Sequence, residues 1–148
     1  MFKRILIATD GSELSRNAIA AGVELAGVAS ASIVGLHARA PIAGMMYGEG
    51  SIVIPAEAQA ALRERSKAAS RTCLAEIETA ARKADVPFEA VDVEDESPAD
   101  AILRTAKALS CDLIVMASHG RKGLSRVLLG SETNKVVTHA TQPVLVTR

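Results

Sequence analysis

Ile5, Leu6, Ile7 and Ala8 stand in an unbroken apolar row that stops at Thr9 and Asp10. A row without alternation marks a strand covered on both faces, the environment of a parallel sheet. Beyond Ser12, which stands where an N-cap belongs, Leu14, Ala18, Gly22 and Leu25 recur at steps of four, four and three, with Ile19, Val23 and Ala26 beside them. That spacing predicts an amphipathic helix. Ala31 to Ala38 (ASIVGLHA) reads as a second strand. The stretch ARAPIAGMMYGEGSIVIP that runs on from Ala38 has Pro and Gly punctuation but no helical period, and reads as a long loop.

From Ala56 to Lys83 the chain is rich in Ala, Glu and Arg, and Leu62, Ala69, Cys73, Ile77, Ala80 and Ala84 recur at helical spacing. This predicts a long helix with a solvated charged face. Pro87 to Val93 reads as a third strand, and Ser97-Pro98-Ala99-Asp100 supplies an N-cap, a first-turn proline and an acidic residue for a helix to about Leu109. Leu113 to Ala117 (LIVMA) is a fourth strand, a last helix starts near Ser131, and Pro143 to Thr147 closes the pattern as a fifth strand. Strict alternation of strand and helix predicts a doubly wound, Rossmann-like α/β domain: a five-stranded parallel sheet in the order 3-2-1-4-5 with helices on both faces.

Length changes little in this picture: 148 residues fit a single domain spanning 1–148. Composition says how the core is built. With two Phe, one Tyr and no Trp against 49% hydrophobic residues, it must consist of Ala, Val, Ile and Leu, small side chains that let helices lie close on a sheet. Seventeen basic residues balance seventeen acidic ones, which removes the broad positive field of a nucleic-acid binder. The apolar run at the start breaks too early for a signal peptide, and no segment approaches the ~20 apolar residues of a membrane span, so a cytoplasmic protein without membrane contact is expected. Cys73 and Cys111 form no CxxC pair and read as small buried hydrophobes.

In an open α/β sheet ligands bind beyond the carboxyl ends of the strands, where the strand order reverses. Two stretches fall there: Ala8-Thr9-Asp10-Gly11-Ser12 after the first strand and Ala117-Ser118-His119-Gly120 after the fourth. The loop from Gly120 to Gly130 then leads into Ser131 at a helix N-terminus, where N–H groups and the positive dipole end favour an anion. Arg121, Lys122 and Arg126 add a local positive field, so that the stretch reads as a phosphate cradle. It is neither a Walker A loop nor G-x-G-x-x-G. A plainer alternative stays open: the glycines are turn residues, Ser131 is an N-cap, and Asp10 serves its own turn rather than an adenine amino group or a ribose hydroxyl. His119 has no nucleophile elbow beside it and reads as a positioning group, while His37 and His139 lack ligand spacing for a metal.

The segments KRILIATDGSELSRNAI, SPADAILRTAKALSCDLIVMASHG, GLSRVLLGSETNKVV and QPVLV, in this order, resemble the universal stress protein family from end to end. The nucleotide-binding branch of that family resembles G-x-x-G, nine residues, then G-[ST]. Gly120, Gly130 and Ser131 fit, and Ala117 stands in place of the first glycine. The resemblance implies ATP or AMP, with or without Mg²⁺, as ligand. It implies Asp10 at the adenine, Ala8, Thr9 and Ala38 lining the base pocket, Met116 and Ala117 near the ribose, and His119, Gly120, Gly130, Ser131, Glu132 and Thr133 around the phosphates.

The function so implied is a stress-response regulator that reports adenine-nucleotide occupancy to an unknown protein partner. Two other classes compete with it: a nucleotide-free dimeric interaction module, and a slow ATPase or self-phosphorylating protein. A homodimer is expected in any of them, because Pro143-Val144-Leu145-Val146-Thr147 would form a short apolar strand on the sheet edge, where unpaired backbone groups invite a second copy. The resemblance implies the same edge contact.

Overall fold

The computed structural model describes residues 1–42, 54–120 and 129–148. Most of the long loop expected after the second strand, and the three basic residues Arg121, Lys122 and Arg126, lie outside them. The elements run β1 (Arg4–Ala8), α1 (Glu13–Ala29), β2 (Ser32–Arg39), α2 (Ala56–Lys83), β3 (Phe88–Glu94), α3 (Pro98–Ala108), β4 (Leu113–Ala117), α4 (Ser131–His139) and β5 (Val144–Thr147). The strands form one sheet in the order β3-β2-β1-β4-β5, and all four pairings are parallel. The expected doubly wound architecture is therefore the observed one. Among the described residues no helix is long and apolar enough to cross a membrane.

Each face of the sheet has its own core. Ile5, Ile7, Ile33, Leu113 and Val115 pack with Ala18, Ile19, Val23 and Ala26 of α1 and Ile77 and Ala81 of α2. On the opposite face Leu6, Val34, Leu36, Ile114 and Met116 pack with Ala99, Ile102 and Ala106 of α3 and Val136 of α4. Neighbouring side chains of a strand alternate between these two clusters, so the unbroken apolar rows of β1 and β4 follow from burial on both sides. Cys73 and Cys111 are free and buried, as expected of small hydrophobes.

The outer strands depart from the rule of fully apolar strands. In β3 the residues Glu89, Ala90, Asp92 and Glu94 are exposed, and in β5 Leu145 is 37% exposed, because an edge strand lacks a neighbour and full helix cover. The long helix departs too. Leu62, Ala69 and Ala84 are exposed, and its buried residues begin at Ser70 and continue through Cys73, Leu74, Ile77 and Ala81. Its 28 residues run to about 42 Å. The eight residues of β2 reach only about 26 Å, so the sheet cannot cover the whole helix. In α1 the buried stripe is Ser15, Ala18, Ile19, Gly22, Val23 and Ala26, and Leu14 and Leu25 border it half-buried.

A polar chain fastens α2 to the β2–β3 edge. Ser70 is fully buried, donates to Asp92 Oδ1 at 2.8 Å and lies 3.0 Å from His37 Nδ1, while Arg39 Nε donates to the same carboxylate oxygen at 2.7 Å. Beside it, Gly35 lets the aromatic ring of β3 close over the sheet: a Cβ there would stand 2.6 Å from Phe88 Cε2 and 3.0 Å from Ile77 Cδ1. Replacing glycine by alanine inside a strand ordinarily stabilises it; here Gly35→Ala is expected to cost about 1–3 kcal/mol, through overpacking against the ring. Urea unfolding of the two proteins checks this.

Candidate functional site

The turn after β1 is held by hydroxyls. The Thr9 N–H donates to the Leu36 carbonyl at 3.0 Å, and Thr9 Oγ1 accepts from the Gly11 N–H at 3.1 Å while lying 3.1 Å from Ser15 Oγ. Ser15 Oγ in turn donates to the Ser12 carbonyl at 2.7 Å, and Ser12 Oγ caps α1 by accepting from the Ser15 N–H at 3.2 Å. Gly11 takes φ 74°, a left-handed conformation that glycine adopts without steric cost. Asp10 completes the turn, its Oδ1 accepting from the Ser12 N–H at 3.0 Å. The turn-serving reading of Asp10 is thus correct for one of its oxygens. The other faces Gly120, where a Cβ would stand 2.8 Å from Oδ2. The ends of β1 and β4 therefore meet at the point where the strand order reverses.

Across this junction α4 is seated on the end of β4. The Gly130 N–H donates to the Ser118 carbonyl at 2.8 Å, Thr133 Oγ1 donates to the Ala117 carbonyl at 3.0 Å, and the Ser118 N–H donates to the Thr147 carbonyl at 2.8 Å. A Cβ at Gly130 would lie 3.2 Å from the Ser118 carbonyl oxygen and 3.4 Å from His119 Cα. The glycine thus fits tightly against the chain's own backbone, and a Cβ there would press on the Ser118 carbonyl whether or not a ligand is near.

The N-cap of α4 is Gly130, with no side-chain cap bond, which corrects the alternative that Ser131 is the cap. Ser131 is the first helical residue and is exposed. The N–H groups of Ser131, Glu132 and Thr133 belong to the first turn, where no intrahelical acceptor reaches them.

The remaining residues singled out in the sequence divide by face. Ala8, Ala38 and Met116 fall on the α3–α4 face, in alternation with Leu6, Leu36 and Ile114, and Ala8 and Ala38 are half-buried there. Thr9 and Ala117 fall on the α1–α2 face, in alternation with Ile7 and Val115. His119 is half-buried with its Nδ1 3.2 Å from Ser118 Oγ, and Ser118 is 4% exposed, so this hydroxyl orients the ring instead of standing open as a nucleophile. Glu132 turns away from the first turn of α4: its Oε2 accepts from the Ala99 N–H at 2.7 Å, at the start of α3.

Sequence reasoning missed the groups that make this geometry. Ser15 bonds to Thr9 across six positions, and no spacing rule marks that pair. Lys135 Nζ donates to Asp100 Oδ2 at 2.7 Å and to Ser97 Oγ at 3.0 Å, joining α4 to the N-terminus of α3. Only the basic residue one turn into a short helix hinted at it. This clasp shifts titrations: the hydrogen bond from Lys135, then that from Ser97, holds the Asp100 carboxyl below its ordinary value, and Asp100 holds the Lys135 ammonium above its own. Asp95, bonded first by the Ser97 N–H and further by Arg104, is also lowered.

The family model described as the universal stress protein family matches residues 1–148. The chain belongs to this family. It is 33% identical over 149 residues to the universal stress protein YxiE of Bacillus subtilis, covering 100% of both chains. It is 34% identical over 148 residues, again covering 100% of both, to a universal stress protein of Thermus aquaticus encoded in a QAH/OAS sulfhydrylase 3′ region. Among solved structures, a Methanocaldococcus jannaschii universal stress protein superposes with TM-score 0.82 at 24% identity, covering 99% of this chain and 96% of that one. A universal stress protein in complex with cAMP gives TM-score 0.71 at 22% identity, with 98% and 95% covered. An Arabidopsis thaliana family member with AMP bound gives 0.65 at 19%, with 97% and 90% covered. At these identities the structural likeness shows the fold.

Two outcomes follow from the geometry. Ser131→Ala should change unfolding free energy by no more than about 0.5 kcal/mol, since the hydroxyl caps nothing, whereas Thr133→Val should cost about 1–3 kcal/mol by leaving the buried Ala117 carbonyl without its donor; chemical denaturation separates them. The depressed carboxyls of Asp95 and Asp100 bind protons less readily folded than unfolded. Their contribution is complete above the ordinary carboxyl pKa of about 4 and is lost as pH falls through the folded values. Lys135→Met should make the acid limb of a stability-against-pH curve shallower.

Proposed function

We propose that the protein binds an adenine nucleotide, AMP or ATP, beyond the carboxyl ends of β1 and β4, and acts in the cytoplasm as a regulator whose occupancy is read by a partner protein. The observation that carries this reading is the convergence at the switch point. Asp10 and Gly120 are in contact range there, and the uncapped first turn of α4 is seated on β4 through Gly130 and Thr133. Small half-buried residues, Ala8 and Ala38, leave room for a flat base on the α3–α4 face. In this reading Asp10 accepts from the adenine amino group or a ribose hydroxyl, Met116 and Ala117 lie near the ribose, and His119, Gly120, Gly130, Ser131, Glu132 and Thr133 surround the phosphates with backbone N–H groups. The relatives in complex with cAMP and AMP support it, since they share the fold.

Ala117, where the family pattern has glycine, does not weaken the reading. By strand alternation its methyl group belongs to the α1 face and is buried, so it does not project among Ala8, Ala38 and Met116. Isothermal titration with AMP and ATP is the test. The parent should bind, Asp10→Ala should bind more weakly, Ser131→Ala should lose about 1 kcal/mol of ATP affinity through one phosphate-side hydrogen bond, and Ala117→Gly should leave affinity where it is. No detectable binding of either nucleotide would leave a nucleotide-free interaction module as the better account.

We also infer a homodimer through β5. Among the described residues that strand pairs with β4 alone, and Leu145 of β5 and Val137 of α4 are 37% and 44% exposed. An apolar edge strand of this kind is suited to pairing with its own copy. Sedimentation at micromolar concentration should give a dimer mass, and Leu145→Lys should shift it toward the monomer; a monomer at every concentration would overturn the inference.

A further inference from the structure

Gly120 stands in the motif as a residue that keeps room for phosphate, yet what its missing side chain leaves room for in this chain is a carboxylate. A Cβ built at Gly120 meets Asp10 Oδ2 at 2.8 Å, closer than real Cβ contacts come, and the next atom it meets is Cγ of the same carboxyl at 3.8 Å. Asp10 has little freedom to yield. Its side chain is short, and its Oδ1 is already engaged by the Ser12 N–H at 3.0 Å in the turn that opens α1. That turn is itself fixed by Thr9 Oγ1, which accepts from the Gly11 N–H, and by Gly11 in a left-handed conformation. A methyl group at position 120 would therefore turn the carboxylate off the Ser12 N–H, because the end of a side chain yields before the hydrogen-bonded backbone of β4 does.

We propose that Gly120 is a positioning residue for Asp10: by lacking a side chain it fixes the direction of the carboxylate, and so governs how the site discriminates the adenosine moiety rather than how it holds phosphate. This rests on the adenine-nucleotide reading of the site and adds to it which end of the ligand Gly120 controls. A carboxylate accepts hydrogen bonds along its lone-pair directions, so a rotated Oδ2 loses an adenine amino or ribose hydroxyl donor, while the first turn of α4, seated separately through Gly130 and Thr133, keeps its N–H groups in place.

A double-mutant cycle over Gly120→Ala and Asp10→Ala tests this, read in binding and in stability. With adenosine, AMP and ATP as titrants, Gly120→Ala should weaken all three by the same factor, on the order of tenfold, and in the Asp10→Ala background it should add no further loss. A loss that grows from adenosine to ATP, or that persists at full size when Asp10 is alanine, would overturn the proposal in favour of a phosphate role for Gly120. If the parent binds none of the three ligands, the nucleotide reading falls, and with it the claim about adenosine. The positioning contact is still decided by the same four proteins without ligand: Gly120→Ala should lower the urea midpoint when Asp10 is present and leave it unchanged when residue 10 is alanine. Equal shifts in both backgrounds would show that the carboxylate is not what fills the space. Asp10→Asn, which keeps the shape and removes the charge, should retain the stability effect of Gly120→Ala.

Discussion

Two backbone carbonyls at the end of β4 hold the switch-point end of the molecule together. The Ala117 oxygen accepts from the Thr133 hydroxyl and the Ser118 oxygen accepts from the Gly130 N–H, so the first turn of α4 is fixed on the central region of the sheet. Both bonds lie at buried or half-buried positions, where leaving a carbonyl without a donor costs about 1–3 kcal/mol. The same strand end is tied outward by the Ser118 N–H to Thr147 of β5. The position of α4 and the end of β5 are therefore consequences of one short piece of backbone. A substitution at Gly130 acts on both, because its Cβ would press on the Ser118 carbonyl.

Close approach is possible throughout because the core is built of small side chains. The sheet carries Ile, Val and Leu, and the helices bring small residues among their larger ones, Ala18, Gly22 and Ala26 on one face and Ala99 and Ala106 on the other. Where a larger group does enter, a glycine stands opposite it, as Gly35 does for Phe88. At the carboxyl ends of the strands the same economy of volume leaves Ala8 and Ala38 half-buried beside the switch point. The strand ends thus continue the packing rule that builds the core.

The order of elements and the parallel sheet were legible because the unbroken rows Ile5–Ala8 and Leu113–Ala117 have a single physical cause, burial on both faces, and the strongest helix signals came from caps: Ser12 and Ser97 both accept from an N–H three residues on. The extent of burial was less legible. Leu62 and Ala69 keep the helical period of α2 and are exposed, since periodicity says which residues share a face and nothing about how far the sheet extends beneath it. At the site, the sequence brought Asp10, Gly120, Gly130 and Thr133 to one place through topology. It could not give the partners that decide their roles. Glu132 reads as a neighbour of the phosphate turn and its carboxylate is bonded to Ala99, while Ser131 reads as a cap and Gly130 holds that position. The Glu132–Ala99 bond spans 33 positions and depends on how α3 lies against α4.

Charge follows the same logic. Two helices begin at the switch point, α1 after β1 and α4 after β4, and each brings N–H groups and a positive dipole end to the carboxyl ends of the strands. At α1 the chain satisfies these groups itself, through Ser12 Oγ on the Ser15 N–H and Asp10 Oδ1 on the Ser12 N–H. At α3, Ser97 Oγ and Glu132 Oε2 do the same for the N–H groups of Asp100 and Ala99. Lys135, which would otherwise stand as a positive charge on α4, is neutralised by Asp100. The acidic residue in the first turn of α4 is thus turned onto α3, and α4 opens on a glycine with no side-chain cap. Of the helices α1, α3 and α4, only α4 opens without a side-chain cap, and the Asp10 carboxylate lies beside that junction against Gly120. Under the proposed reading, an anionic group joined to a neutral hydrogen-bond donor, as phosphate is joined to adenosine, would match that separation of charge.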